Sequence, residues 1–557
     1  MNRPAKHAAR PLADLMHDWS KRAEQVIPGR VASLISDALF QDQRLLVGAD
    51  LDPGTIDAYG ATVVLALQLK RSTWTRWNIL AEAARQTRLL RTKDVDARLN
   101  VLSAIAKSAE RHSISLTAPE LVPVPVQRRD GESVYTVHNG QIYTSPAVLG
   151  AESVLLDLAA DVNGPVLSGY HTSGDLGEDK AAVLRRVASS GQRIETVVGP
   201  AGTGKTTLLA ELKTAWNAGF GEGSVVALAP SAAAAEVLAD SLDLPADNVG
   251  KWIHESIGIG AEQRQTWIAE SERAAQLAIN AGRRRRAQRF YTAAAAARTE
   301  RDRWRLRRNQ LVIVDEASMV GTMELACLAR EADRAGAKLL LVGDDSQLGA
   351  VDTGGAFRLL VNETNAAKLT EIWRFQNTWE RQASLDLRAG NREVFDVYDD
   401  HGRLHHGPAE DIENTAYAAW QADLTLGRTS LLIAGDNATV ARLNARAHVD
   451  RVQTREVEPQ GVELHDGTSA GLGDTIVTRL NARRLLTNHR NFVRNGATWT
   501  ILRRWPDGSL TVRGANDETV TLPRTTCARG SSWATPPQPT APRAKPSTPH
   551  TSSSPTT

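Results

Sequence analysis

Cysteine is nearly absent from this 557-residue chain: Cys327 and Cys527 are the only two, far apart and without metal-ligand spacing. A disulfide scaffold is therefore excluded, and a reducing cytoplasm is the expected compartment. No apolar run approaches 18 residues, so no membrane insertion is expected. The N-terminal MNRPAKHAARPLADLMHDW lacks the apolar core of a signal peptide. Histidine forms no metal constellation; His405-His406 is an isolated pair in an expected loop. Neither sign of charge dominates the total of +2, yet its distribution is uneven. Between Arg283 and Arg308 eleven arginines stand against two acids, Glu300 and Asp302, a local excess that a polyanion would feel.

What is present fits a soluble globular protein, 42% hydrophobic and 23% charged, long enough for three or more domains. Residues 1–118 read as a helical N-terminal region, because STWTRWNILAEAARQTRLLRTKDVDARLNVLSAIAKSAERHS keeps apolar residues at helical spacing. Residues 119–170 change character and read as a small β segment, with a hairpin expected around Asn139-Gly140 in ESVYTVHNGQIYTS. From 171 to 365 strands and helices alternate, which implies a parallel sheet with helices on its faces. The strand candidates are Ile194–Val198, Ser224–Ala229, Leu311–Val314 and Lys338–Val342. Residues 260–310 form a long Ala/Arg/Glu-rich helical insertion within that domain. A second alternating domain is expected over 366–469, with SLLIAGDNATVARLNARAHVDRV read as strand, turn and helix. Residues 470–524 read as a β module turning at Asn495-Gly496 and Asp507-Gly508. There are no internal repeats.

Three segments carry chemistry. VVGPAGTGKTT, residues 197–207, fits G-x-x-x-x-G-K-[ST] between an apolar strand and a helix. In such a loop Gly199, Pro200, Ala201, Gly202, Thr203, Gly204, Lys205, Thr206 and Thr207 form the nucleotide-binding segment, and its backbone N–H groups, all but that of Pro200, which has none, converge on phosphate oxygens at a helix N-terminus. Lys205 would reach the β- and γ-phosphates, and Thr206 would ligate Mg²⁺. LVIVDEASM, residues 311–319, ends a buried strand on Asp315 and Glu316. Those carboxylates lie where open α/β sheets bind ligands. Asp315 would hold Mg²⁺, and Glu316 would orient and deprotonate the attacking water of phosphoryl transfer. The third segment, LLLVGDDSQLGAVDTGGAF, residues 339–357, is a strand followed by Gly-Asp-Asp-Ser-Gln.

With that third segment the chain resembles superfamily 1 helicases of the RecD-like branch, and more narrowly the helicase portion of conjugative relaxase–helicases. The resemblance implies a P-loop α/β fold with tandem RecA-like domains, ATP and Mg²⁺ as cofactors, and 5′→3′ movement on single-stranded DNA. It implies conjugation or relaxosome proteins as partners. It assigns Gln347 to sensing the γ-phosphate, and Arg374 in KLTEIWRFQNTWERQASLDLRAGN to opening the second RecA-like domain and reaching across the cleft. ALAPSAAAAEVLAD and NVGKWIHE resemble strand-contacting segments, making Ser231 and Trp252 candidate DNA contacts, with plain core packing the alternative for Trp252. The β module resembles an SH3-like insertion. LGEDKAAVL departs from the pattern: Lys180 stands where the family has an adenine-reading Gln. The arginines of the insertion read either as a DNA-phosphate surface or as the solvated face of a helical hairpin. A second reading of the whole is an ATP-binding DNA-binding or assembly module without a motor; Gly343–Gln347 disfavours a kinase.

The ends read as incomplete. The resemblance calls for two further segments in the second RecA-like domain, which are replaced by a Pro/Ser/Thr-rich tail, 525–557. Shifted back one nucleotide, the junctions of that tail from Trp533 onward admit most of a strand-gripping helicase segment. The tail therefore reads as a disordered, out-of-frame translation in which Cys527 and Trp533 have no role. A genuine disordered linker is the alternative. The histidine triad and tyrosines of a relaxase are missing at the other end, so no nicking activity is expected. The nucleotide sequence around codon 524 tests the frame: a continuation encoding the helicase segment in the shifted frame is the expected result.

Overall fold

Short aliphatic runs without polar interruption become buried parallel strands here, and the rest of the chain is largely helical. In the computed structural model, residues 12–26, 29, 51–117, 140–167, 169, 176–347, 355–489, 491–514 and 517–533 are described. They divide into one unit of residues 37–391 and another of residues 1–36 with 392–557.

In the first unit, helices Pro53–Gln68, Arg76–Gln86 and Val95–Arg111 pack around Val63, Ile79, Ile105 and Trp74. A small antiparallel sheet joins them, β1 (Trp74–Thr75), β2 (Ile114–Ser115) and β3 (Ile142–Thr144), in the order β1-β3-β2. β3 falls where the second arm of the hairpin expected at Asn139-Gly140 was placed but pairs with β1 and β2 on its two sides; the expected first arm lies outside the described residues. Residues 146–160, expected within a β segment, are instead the helix Pro146–Ala160. Ser145 caps that helix by accepting from Val148 N–H, and Pro146 occupies its first turn, where no N–H is needed.

The central sheet has six parallel strands in the order β6-β5-β7-β8-β4-β9. They are β4 (Ile194–Val198), β5 (Val225–Ala229), β6 (Ala246–Asn248), β7 (Leu311–Val314), β8 (Lys338–Gly343) and β9 (Ala367–Lys368). β6 and β9 escaped sequence reading because they are two or three residues long and partly polar. Alternate side chains divide the core. Ile194, Val198, Leu228, Val312, Val314 and Leu341 face helices Pro146–Ala160, Val249–Ser256, Thr322–Ala335 and Ala356–Glu363. Val197, Ala227, Ile313, Leu340 and Val342 face helices Glu178–Ser189, Lys205–Phe220 and Ala232–Leu242. The insertion is a helical hairpin, Ile259–Asn280 and Arg284–Arg303, with Arg283–Arg286 and Arg289 exposed near its tip.

The second unit does not repeat this sheet. Its helices Val394–Asp400, Ala409–Thr425 and Asn437–Gln453 include a small core of Tyr417, Trp420 and Ala447. The strand expected in SLLIAGD is not formed: the segment is in no ladder, and Leu431 and Ile433 are 76% and 84% exposed. An extended segment needs paired backbone groups to hold as a strand, and no parallel neighbour is present among the described residues. The β module comprises β10 (Val462–Glu463), β11 (Ser469–Ala470), β12 (Thr475–Thr478), β13 (Ala482–Leu486), β14 (Phe492–Val493), β15 (Thr498–Arg504), β16 (Leu510–Arg513), β17 (Thr519–Leu522) and β18 (Ser531–Trp533). Its main sheet is antiparallel, in the order β17-β16-β15-β12-β18. Gly496 and Gly508, at the expected turns, take φ of +83° and +80°.

β18 corrects the reading of the tail. The helix Arg524–Gly530 puts Cys527, fully buried, among Leu510, Val512 and Trp499, and β18 then pairs antiparallel with β12. Residues 524–533 thus complete an edge and fill a core, so the disorder and lack of role expected from 525 do not hold for 525–533. The reading of residues 534–557 lies outside the described residues.

One buried charge makes the fold sensitive to pH. Lys338 is fully buried on β8, donating to the carbonyls of Val187 at 2.8 Å and Ser190 at 2.5 Å. Burial pushes its pKa down from 10.5 to about 8. Between those values the unfolded chain holds a proton that the folded chain has lost, so stability rises as pH increases through that window. Urea melts should show a midpoint climbing from pH 8 to 10 in the native chain and a flatter profile in Lys338→Met; parallel slopes would assign the proton elsewhere.

Candidate active site

β4 runs into the loop Gly199–Gly204 and then directly into the helix Lys205–Phe220. The loop depends on left-handed backbone at Gly202 (φ +89°) and Gly204 (φ +80°), which glycine adopts without strain. Thr203 tightens the turn, its hydroxyl donating to Pro200 O at 2.9 Å. The Lys205 ammonium folds back to donate to Gly199 O at 2.9 Å. Ala201, Thr206 and Thr207 are exposed, the two threonines opening the helix.

β7 delivers the carboxylates to the same edge of the sheet. Asp315 is anchored by its N–H to Leu228 O at 3.0 Å, and its carboxylate accepts from Glu316 N–H at 3.0 Å. Burial pushes the Asp315 carboxyl above its ordinary range, with the neighbouring Glu316 charge adding to the rise. Glu316 has φ +51° and ψ +41°, a left-handed conformation that a non-glycine residue adopts only under constraint. Its Oε1 lies 3.9 Å from Lys205 Nζ, while its buried Oε2 has no hydrogen-bond partner among the described residues. The structure therefore brings Lys205, Asp315 and Glu316 to one place, with Thr206 next in chain to Lys205.

These residues fit a magnesium–nucleotide pair. Asp315 is a hard oxygen donor, the Thr206 hydroxyl is exposed beside the loop, and the orphan Oε2 of Glu316 calls for a polar partner. Magnesium bound there supplies charge neutralisation on the β- and γ-phosphate oxygens.

Gln347 follows β8, whose register sets Gly343 beside Val198 at the loop's entrance. Gln347 is half-buried, and residues 348–354 lie outside the described residues. The turn before it is held by a side chain that sequence reading missed. Arg388, at the end of helix Thr378–Arg388, donates to Asp344 Oδ1 at 2.5 Å and Asp345 Oδ1 at 2.6 Å. Asp344 also accepts from Ser346 N–H. Forty-odd residues separate the partners, so no local pattern announced the pairing.

Arg374 is not where a second domain would put it. It lies in the same unit as the loop, in a strap that follows β9 across the loop's surface. Leu369 N–H donates to Val198 O, Thr370 and Glu371 N–H to Asp179, and Trp373 N–H to Gly202 O at 2.8 Å. A Cβ on Gly202 would stand 2.5 Å from Arg374 Cβ, so that glycine admits the strap as well as the loop's conformation. Asp179 and Trp373, the other members of this contact, were also missed.

The candidate DNA contacts separate. Ser231 is exposed just past β5 and caps the helix Ala232–Leu242, its hydroxyl accepting from Ala234 N–H. Trp252 is 3% exposed and packs in the core under Trp304, so its ring cannot stack on a base from this position. Both indoles line a cavity of about 320 Å³ with Asp247, Arg303, Arg305 and Gln310, which includes none of the loop residues.

Sequence comparison agrees with the geometry. The AAA domain family matches residues 175–409, a stretch that contains the loop, the Asp315-Glu316 pair, Gln347 and Arg374. The chain carries a parallel α/β core that matches the AAA domain family over these residues. This core is similar to the probable conjugal transfer protein TraA of Sinorhizobium fredii, 29% identical over 281 residues, covering 50% of this chain and 21% of that protein. It is similar to the conjugal transfer protein TraA of Agrobacterium fabrum, 28% identical over 351 residues, covering 62% and 27%. The TraA of Rhizobium radiobacter is 30% identical over 282 residues, covering 50% and 21%. The chain thus spans about a quarter or less of these relatives' length. A superposition on the crystal structure of Pif1 helicase from Candida albicans has a TM-score of 0.30 and 16% identity, covering 63% of this chain and 78% of that one; it bears no weight here. Among the described residues no helix is long and apolar enough to cross a membrane.

The ion pair under the Gln347 turn yields a stability test. Asp344 is 5% exposed at its side chain and Arg388 29%. Removing the cation leaves a buried carboxylate unpaired, a loss of several kcal/mol when both partners are fully buried. Partial exposure of Arg388 reduces this, so Arg388→Ala should cost about 2 kcal/mol in denaturant melts, with Arg388→Lys between it and the native chain.

Proposed function

We propose that the helicase core hydrolyses ATP with Mg²⁺ to move along single-stranded DNA, 5′→3′, as part of a conjugative DNA-transfer protein acting in the cytoplasm beside other conjugation proteins. The observation that carries the reading is the Lys205–Glu316 approach, with an unpartnered carboxylate oxygen of Glu316 facing the site. In this reading Lys205 releases Gly199 O to take the β- and γ-phosphate oxygens, Thr206 and Asp315 hold the metal, and Glu316 accepts a proton from the attacking water. Gln347 reports the γ-phosphate, and Arg374, lying over Gly202, supplies a second positive charge to the same phosphates. DNA would lie along Ser231 and the exposed arginines at the tip of the insertion, whose guanidinium groups suit a phosphate backbone. The TraA names of the relatives support the conjugative setting.

A second reading, an ATP-binding assembly module without a motor, is favoured by one observation: residues 392–469 build no second parallel sheet among those described. DNA-stimulated hydrolysis separates the two. Phosphate release should rise severalfold on adding single-stranded DNA, and Glu316→Gln should lower kcat by about a hundredfold or more while nucleotide still binds. Lys205→Ala should remove binding as well. Hydrolysis indifferent to DNA would support the module instead.

A further inference from the structure

Among the described residues, Lys180 is a buried cation with no carboxylate at ion-pair distance. It sits in the first turn of helix Glu178–Ser189 and is 6% exposed. Its ammonium lies 4.7 Å from the centre of the Trp373 ring, and among the described residues no carboxylate lies within ion-pair distance. Asp179, next in chain, spends its carboxylate on backbone N–H groups, accepting from Lys180 N–H at 2.6 Å and from Thr370 and Glu371 N–H on the strap, and makes no ion pair with the Lys180 ammonium. The Lys180 side chain instead reaches the phosphate loop: a Cβ on Gly204 would stand 2.7 Å from Lys180 Cε and 3.5 Å from Nζ. Gly204 is the residue from which helix Lys205–Phe220 starts, so its backbone lies at the positive end of that helix.

This arrangement is costly unless something negative arrives. Taking an ammonium out of water without a counter-charge is unfavourable, and an aromatic face offsets only part of it. A helix N-terminus adds further positive potential in the same place. Two features converge on one spot, the orphan amine and the loop's N-terminal backbone, and both ask for an anion.

We infer that Lys180 is a second ammonium of the phosphate site, held by Trp373 and the strap to take a phosphate oxygen of the bound nucleotide alongside Lys205. The inference rests on the nucleotide site proposed above and adds a residue to it. An ammonium only donates hydrogen bonds, so its contribution is to the anionic oxygens common to all nucleoside triphosphates and is independent of the base. Gly204 and Gly202 acquire a shared reason: one leaves room for the Lys180 stem, the other for the Arg374 stem.

The test is equilibrium binding of fluorescent mant-ATP and mant-GTP, with Mg²⁺, to the full chain and to Lys180→Met, Lys180→Arg and Lys205→Ala. Met keeps a long apolar stem against the Trp373 ring and removes only the charge. A hydrogen bond to a charged group predicts that Lys180→Met weakens both nucleotides about ten- to a hundredfold, in parallel. Lys180→Arg, which restores the charge, should stay within about threefold of the native chain, a rescue that a purely structural role would not produce. Unchanged affinity in Lys180→Met overturns the inference. So does a change confined to one nucleotide, which would make Lys180 a reader of the base, and so does an Arg variant as weak as the Met one. Failure of the native chain to bind either nucleotide, with Lys205→Ala indistinguishable from it, would instead remove the nucleotide site itself.

Discussion

The approach of Lys205 to Glu316 organises this molecule. Both residues follow strands of one parallel sheet, β4 and β7, which are not neighbours but flank β8 on either side. The register aligns Val198 with Gly343 and Leu341 with Val314, so β4 and β8 end level and β7 ends two residues earlier at the same edge. A helix start and a carboxylate pair are thereby set against each other across a gap the width of one strand. Parallel strands deliver all their C-terminal ends to one edge, which is why ligand sites of such sheets gather there. The lysine donates to Gly199 O, and Glu316 is held in a left-handed conformation with one oxygen unpaired among the described residues. Local strain and unmet polarity concentrate where the chemistry is expected.

Around that centre the structure ties distant segments to the loop. The strap after β9 is fixed at four backbone positions, and it brings Trp373 and Arg374 over Gly202 and Lys180. Arg388 grips the turn ahead of Gln347 from a helix that ends just before Gly390, whose φ is +74°. Both connections lie within the unit that ends at Asn391. The loop, the Gln347 turn and the last helix of that unit are therefore mechanically continuous, through hydrogen bonds and one ion pair rather than through apolar packing alone.

The fold of the first domain was legible because its central strands β5, β7 and β8 are almost wholly aliphatic. LVIV and LLLV admit no other burial pattern at that length. The phosphate loop and the carboxylate pair were legible for the same reason, since each abuts such a strand. Reading failed where structure is made by pairing rather than by composition. β9 is only two residues long and exists because Val197 and Val198 offer it a ladder. SLLIAGD is as apolar as the strands that formed, yet it has no neighbour and stays exposed. Cys527 and β18 looked like the start of a featureless tail until β12 supplied an edge to complete.

Sequence alone determined the class of the site, because a glycine loop, a lysine–threonine pair and an acidic strand end act through residues close together in the chain. Tertiary structure decided the rest: that Arg374 lies over Gly202 within the loop's own unit, that Trp252 is core, and that Lys180 packs against Gly204 with no carboxylate at ion-pair distance among the described residues. Each of these depends on contacts between residues tens to nearly two hundred positions apart. Such contacts follow from strand order and register, which no local pattern of residues encodes.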